Sequence, residues 1–419
     1  MNDKIRLFTP GPVTMSARTL AIGASQLPYN RTEQFSQITF EIIKDLKYIF
    51  GTQGDVVIFA ASGTGAMEAV FFNFLDQSDK VLIVNGGTFG QRWVDLCIQH
   101  EIPFEQISLD PGQPISLEDL ERTLSTQEYS TLLINAHETS TGIIYDTKAI
   151  GELTQKYGVF FVVDAISTIC ADIFMMDKWH VDVSLLSSQK ALALPPGLSF
   201  LALNKKAKLR LENKTCQSYY FDIKEFLANQ KRGQMPFTPV IGHFMMLHER
   251  LREIRLQGID FFISHHSKLA EYFRKGLQGL PLSFLPNSPS NALTAISCPK
   301  DIDAFDLVKR LADNFNCFVA PNGGNLKHKV FRVSHLGEQN ETDIDFLINA
   351  LENILNNYQQ TENHIIMESL LILHRYDYML IISAILAILY ENNTHNIFRH
   401  NNCNNQGEMN YKTFKIKKR

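Results

Sequence analysis

SLLSSQKALALPPGLSFLAL, residues 184–203, places one lysine, Lys190, between two apolar runs and follows it with Pro195, Pro196 and Gly197. The flanking runs, DVSLLSS at 182–188 and LSFLALN at 198–204, are apolar on consecutive rather than alternate positions. That is the pattern of strands covered on both faces. Four more such runs lie upstream: VVIFAA at 56–61, KVLIVNG at 80–86, TLLINAH at 131–137 and VFFVVDAI at 159–166. Helix-like stretches such as GAMEAVFFNFL and DTKAIGELTQKYG separate most of them. The alternation predicts an α/β domain whose mostly parallel sheet is sandwiched between helices. In such sheets ligands gather at the carboxyl ends of the strands, so the polar residues just after each run are the candidates for chemistry.

Composition narrows the partners. The 419 residues are 45% hydrophobic and 20% charged, as expected of a globular protein with a large core, which excludes disordered and fibrous classes. A net charge of −4 gives no electrostatic reason to expect nucleic acid or a membrane as the main partner, and points to small molecules. The cysteines Cys97, Cys170, Cys216, Cys298, Cys317 and Cys403 form no CxxC and no Cys/His cluster, so no metal site is expected. Scattered thiols fit a reduced, cytoplasmic setting. The N-terminus, MNDKIRLFTPGPV, lacks the apolar core of a signal peptide, and no export is expected.

Along the chain the pattern divides into an N-terminal arm (1–20), a large domain (21–264) and a smaller α+β domain (265–358). The smaller domain holds the strand candidates LTAISCP and KVFRVSHLG and closes on the amphipathic ETDIDFLINALENILNNY. A tail, 359–419, departs from this pattern. Its apolar run YMLIISAILAILY, 378–390, is shorter than the roughly 17–25 residues a membrane-spanning helix needs. Three readings stay open for it: a buried or oligomer-contact helix, an interfacial membrane segment, or an extension joined to a complete enzyme. An Asn-rich stretch and a basic end, KTFKIKKR, follow.

Each strand end carries a candidate. After VVIFAA come Ser62, Gly63, Thr64 and Gly65 opening a helix, where free backbone N–H groups suit a phosphate and equally suit an ordinary turn. Phe89, in GTFGQRW, has the flat face to lie under a planar ring, although such a residue also serves as core. After TLLINAH, the hydroxyls of Thr139, Ser140 and Thr141 suit either a site or a turn. Asp164 ends a run of buried apolar residues and needs a cationic or donor partner, or caps a helix. Lys190 ends another, and a buried lysine has its pKa lowered toward that of a nucleophilic amine. Phosphate seat, stacking ring, carboxylate and amine on successive strands form the set that pyridoxal 5'-phosphate requires.

The order of these motifs, with FTPGP near the start, VVDAIS, SSQKALALPPG and FRVSHLG, resembles the class V aminotransferases of the fold type I pyridoxal-phosphate enzymes. The likeness covers residues 5 to about 358. It is nearest to the alanine-glyoxylate and serine-pyruvate group, then to the 2-aminoethylphosphonate-pyruvate enzymes. It implies a large domain with a mostly parallel sheet plus a smaller C-terminal domain. It also implies Lys190 as the cofactor-bearing lysine and Asp164 as partner of the pyridine nitrogen. Ser62, Gly63, Thr64 and Gln189 would contact the phosphate, Phe89 would stack on the ring, and Thr139 would sit by the ring hydroxyl. Arg332 matches the arginine that grips the substrate carboxylate. Thr238, in GQMPFTPV, matches a position that reaches the neighbouring subunit's phosphate, which implies a homodimer with shared sites. Arg31, in PYNRTEQF, matches a loop at the active-site mouth, where a surface arginine is the other reading.

The resemblance implies ping-pong transfer of an amino group from a small amino acid, of alanine or serine type, to a small 2-oxo acid, glyoxylate or pyruvate. The sequence departs from the alanine-glyoxylate pattern at Thr64, where that group has histidine, at Phe89, where it has tryptophan, and at Met235, where it has tyrosine. Two other functions share the fold. A 2-aminoethylphosphonate aminotransferase keeps the same catalytic set, with a turn close to ETSTG. A lyase of the cysteine desulfurase type needs a mobile cysteine, for which Cys317 in NFNCFVAP is the nearest candidate. A scaffold protein would be expected to have lost the lysine or the aspartate.

Overall fold

The computed structural model of the chain describes residues 5–126, 128–356, 358, 367–368 and 379–387. In chain order its strands are β1 (Arg6–Phe8), β2 (Asp55–Phe59), β3 (Val81–Asn85), β4 (Phe104–Ser108), β5 (Thr131–Asn135), β6 (His137–Glu138) and β7 (Ile143–Ile144). These are followed by β8 (Phe160–Asp164), β9 (Val183–Ser187), β10 (Ser199–Leu203), β11 (Ser283–Phe284), β12 (Leu293–Ser297), β13 (Cys317–Pro321) and β14 (Val330–Ser334).

Seven strands form the central sheet, in the order β2-β10-β9-β8-β5-β3-β4. All neighbours run parallel except β10, which is antiparallel to both β2 and β9. The fold is thus the mixed α/β class that the apolar runs imply. Residues of β5, β8, β9 and β10 are buried throughout, which explains why those runs carry no alternation. Side-chain caps set several flanking helices: Ser62, Asp146 and Asn204 accept N–H groups at the starts of Gly63–Phe74, Thr147–Tyr157 and Lys205–Glu212.

A second sheet has the order β1-β13-β14-β12-β11. The N-terminal arm belongs to it, because β1 pairs in parallel with β13, Arg6 opposite Cys317 and Phe8 opposite Val319. The helix Ile259–Gly276 runs through position 265, and a further helix covers 341–356.

The described residues up to Leu355 form one compact unit, and those from Asn356 onward belong to a second. In the second unit residues 379–387 are helical, with Met379, Leu380, Ile381 and Leu386 exposed. Among the described residues no helix is long and apolar enough to cross a membrane. The Asn-rich stretch and basic end of the tail lie outside the described residues.

Candidate active site

Because β2, β3, β5, β8 and β9 share one direction, their carboxyl ends open on one edge of the central sheet. Beyond β2, Ser62 caps the helix Gly63–Phe74 and its Oγ accepts the Gly65 N–H at 3.4 Å. A Cβ at Gly63 would meet Ile166 Cδ1 at 2.6 Å, so a side chain there would push Ile166 aside. Beyond β3 the helix Thr88–Gln99 begins, held by the buried Glu138 carboxylate. That carboxylate accepts the N–H groups of Phe89 (3.2 Å), Gly90 (2.8 Å) and Ser140 (3.1 Å) and the Ser140 hydroxyl (2.5 Å). Donors at a helix N-terminus are what allow an anion to be buried there.

The two groups the sequence singles out lie at the ends of the adjacent parallel strands, Asp164 as the last residue of β8 and Lys190 three residues beyond β9. Asp164 closes β8 with Oδ2 accepting from Asn135 Nδ2 at 2.8 Å and Oδ1 from the Ile166 N–H at 2.9 Å. Burial pushes its carboxyl up to about 6, opposed by the Ile166 N–H and by the charges of Lys190 and Arg92, while Glu138 adds to the rise. Lys190 is 8% exposed. Burial pushes its amine down to about 8, the nearby guanidinium groups of Arg332 and Arg92 push the same way, and Asp164 opposes them. Near neutral pH such an amine has an accessible free-base form, which an exposed lysine lacks.

The Pro195–Gly197 segment holds Lys190 as its position suggests. The Ser188 hydroxyl donates to the Pro195 carbonyl at 2.6 Å and accepts the Leu198 N–H at 3.2 Å, while the Ala193 N–H donates to the Lys190 carbonyl at 2.8 Å. From the other side the FTPGP segment closes in. A Cβ on Gly11, whose φ is 154°, would meet the Gln189 carbonyl at 2.9 Å and Lys190 Cδ at 3.1 Å. The Gln189 side chain accepts from the Ser187 hydroxyl at 2.5 Å.

Beyond β5, Thr139 Oγ1 meets Ser167 Oγ at 2.8 Å, and the Thr139 carbonyl accepts from Arg332 Nη1 at 3.1 Å. Arg332 reaches there from β14, with Nη2 on the Pro321 carbonyl at 2.6 Å and a buried Nε that has no acceptor. A guanidinium held by carbonyls, with an N–H left over, suits a carboxylate ligand. Asn322 fastens the same region by donating to the Ser140 carbonyl at 2.7 Å.

Sequence reasoning passed over Arg92. Its Nη1 donates to Thr64 Oγ1 at 3.0 Å and its guanidinium lies 4.9 Å from the centre of the Phe89 ring. The signal was present in TFGQRW, where Arg92 stands one helical turn after Phe89. Asn135, Glu138 and Ser167 were also missed, and their partners show only in three dimensions. Arg31 and Thr238 belong to the segment around Met235, and Thr238 shares a small cavity with Ile58 and Ala60 of the β2 end. Arg31 Nη1 donates to Gln234 Oε1 at 3.2 Å and the Met235 carbonyl at 3.3 Å, and Thr238 is exposed a few residues further on. Among the described residues no hydrogen bond joins either to Lys190. Cys317, the desulfurase candidate, is fully buried in β13 with its thiol pushed up to about 11 by burial, which is the opposite of a mobile nucleophile.

Amine, carboxylate, helix N-terminus and aromatic face are the four contacts that pyridoxal phosphate asks of a protein, and the donor set here fits that group. Comparison with known proteins agrees. The family model described as aminotransferase class-V matches residues 21–332. Serine-glyoxylate aminotransferase from Arabidopsis thaliana is 31% identical over 83% of this chain and 90% of its own length. A Synechococcus protein named soluble hydrogenase, small subunit, is 32% identical over 85% of this chain and 94% of its own. The crystal structure of alanine-glyoxylate aminotransferase from Nostoc sp. superposes with a TM-score of 0.81 at 28% identity, covering 85% of this chain and 96% of that one. The hydrogenase name describes that relative and not this chain, whereas the family model, the plant enzyme and the Nostoc structure all carry the aminotransferase name. The chain is an enzyme of the aminotransferase class-V family.

Proposed function

We propose that the chain uses pyridoxal 5'-phosphate to move an amino group from a small amino acid, of alanine or serine type, to glyoxylate or pyruvate. The observation that carries this reading is the pair of buried groups at the ends of neighbouring strands, the Asp164 carboxylate closing β8 and the Lys190 amine, near 8, just beyond β9. When bound, the cofactor supplies an electron sink for the bond that breaks at the donor's α-carbon. Everything else falls to this chain's own residues. Arg332 binds and orients the substrate carboxylate. Lys190 Nζ would anchor the cofactor and is the base placed to move the donor's α-proton. Asp164 would pair with the pyridine nitrogen and favour a proton on it. Ser62, Gly63, Thr64 and Gln189 would hold the phosphate, Phe89 the ring face, and Thr139, steadied by Ser167, the ring hydroxyl.

The names of the Arabidopsis and Nostoc relatives support glyoxylate as acceptor. Transfer in two half-reactions makes the kinetics ping-pong. The exposed Thr238 fits a homodimer in which it completes the partner's site, with Arg31 beside it at the mouth. The scattered thiols and low net charge fit a cytoplasmic enzyme.

The test is a single-turnover panel. Enzyme loaded with pyridoxal phosphate is mixed with alanine, serine, aspartate or 2-aminoethylphosphonate, and the oxo product is counted per site. Alanine or serine should give close to one product per site, whereas selective turnover of 2-aminoethylphosphonate would replace this donor assignment. Mass spectrometry after borohydride reduction should find the cofactor's mass on Lys190, and a different modified residue would overturn the lysine's role.

A further inference from the structure

Arg92 is a half-buried cation with no carboxylate partner among the described residues. Its one described hydrogen bond ends on Thr64, in the first turn of the helix Gly63–Phe74, and its guanidinium carbon lies 4.9 Å from the centre of the Phe89 ring. Arg332, the other arginine that acts on Lys190, is tied to the Thr139 and Pro321 carbonyls and so belongs to a different side of the cluster.

Charge balance gives these positions a meaning. A phosphate monoester carries about −1.5 to −2 near neutral pH, and a helix N-terminus offers roughly +0.5. Lys190 is committed to the aldehyde end. The cation adjoining the helix N-terminus is Arg92. We infer that Arg92 is a binding residue for the cofactor's phosphate, reaching it from beside Thr64 and completing a seat that backbone N–H groups alone leave under-charged. The inference rests on the pyridoxal-phosphate reading above and adds to it a residue that this reading does not contain.

The test compares pyridoxal phosphate with pyridoxal, which has the same ring and aldehyde without the phosphate. Cofactor-free wild type, Arg92→Gln and Arg92→Lys are each titrated with both compounds, with bound ligand followed by protein fluorescence. Arg92→Gln should weaken pyridoxal phosphate roughly 10- to 100-fold, the loss of one charge-assisted hydrogen bond, and leave pyridoxal within about twofold. Arg92→Lys keeps the charge and should recover part of the loss. Inorganic phosphate should compete with pyridoxal phosphate less well in Arg92→Gln than in wild type.

Equal weakening of both compounds would assign Arg92 a structural role and overturn the inference. So would unchanged pyridoxal phosphate affinity joined to a selective loss of dicarboxylic donors, because the anion met by Arg92 would then be the substrate's. Wild type that binds neither compound would overturn the cofactor reading itself, an outcome distinct from both.

Discussion

In the seven-stranded sheet, β2, β3, β5, β8 and β9 each lead within a few residues to a polar or turn-forming group of the site, whereas the five-stranded sheet sends a single side chain, Arg332, out of the middle of β14. The first arrangement needs no long-range information, because a residue at a strand's end is placed by that strand. The second depends on how two sheets meet. Arg332 reaches the cluster through the carbonyls of Thr139, which follows β6, and Pro321, the last residue of β13, so its geometry is set by the junction. Chemistry built on strand ends should therefore fail completely when one group is removed, while chemistry across the junction should fail by degrees.

The sharpest way to break this comparison is Lys190→Ala. Turnover should fall by at least about a thousandfold in a steady-state assay, since anchor and general base are lost together. Turnover close to wild type would remove Lys190 from the reaction. Across the junction, Arg332→Lys keeps the charge and loses the fork, so kcat/KM should drop about 10- to 100-fold, mostly through KM. A fall in kcat at constant KM would mean that Arg332 acts after binding.

A third prediction concerns Glu138, in β6 just before the Thr139 carbonyl that Arg332 meets. Glu138→Gln replaces an acceptor of the Phe89, Gly90 and Ser140 N–H groups with an amide that accepts at one end only. Urea unfolding should show a loss of about 2–3 kcal/mol. The last prediction is a pH slope. The Lys190 amine in the folded, cofactor-free chain sits near 8, below the 10.5 of the unfolded chain, so between these values the unfolded state binds more protons and stability rises with pH. Below about 8 the full cost of the buried charge is present. Calorimetry of the cofactor-free chain across this window should show the slope in wild type and its absence in Lys190→Met, which should also melt higher at neutral pH.

The same contrast explains what could be read in the sequence. The strands β2, β3, β5, β8, β9 and β10 announced themselves because both of their faces are covered, and Asp164 and Lys190 stood out as charges ending such runs. The edge strand β4, FEQIS, was not legible because its outward residues are exposed, so its apolar pattern is broken. β1 is three residues long and carries no pattern. Arg92 and Glu138 look like surface charges in a linear reading; their roles come from a helical turn beside Phe89 and from N–H groups that converge only after folding.

The pairing of β1 with β13 bears on how the enzyme is made. As the chain emerges from the ribosome, residues 6–8 have no strand to join until residues 317–319 exist. The central sheet, complete by Leu203, has no such wait. The FTPGP segment that backs Lys190 is anchored by this late pairing, so the lysine's surroundings are finished last, after the rest of the strand-end cluster is in place. A nascent chain cut short before β13 is thus expected to carry a formed central sheet and an unguarded lysine.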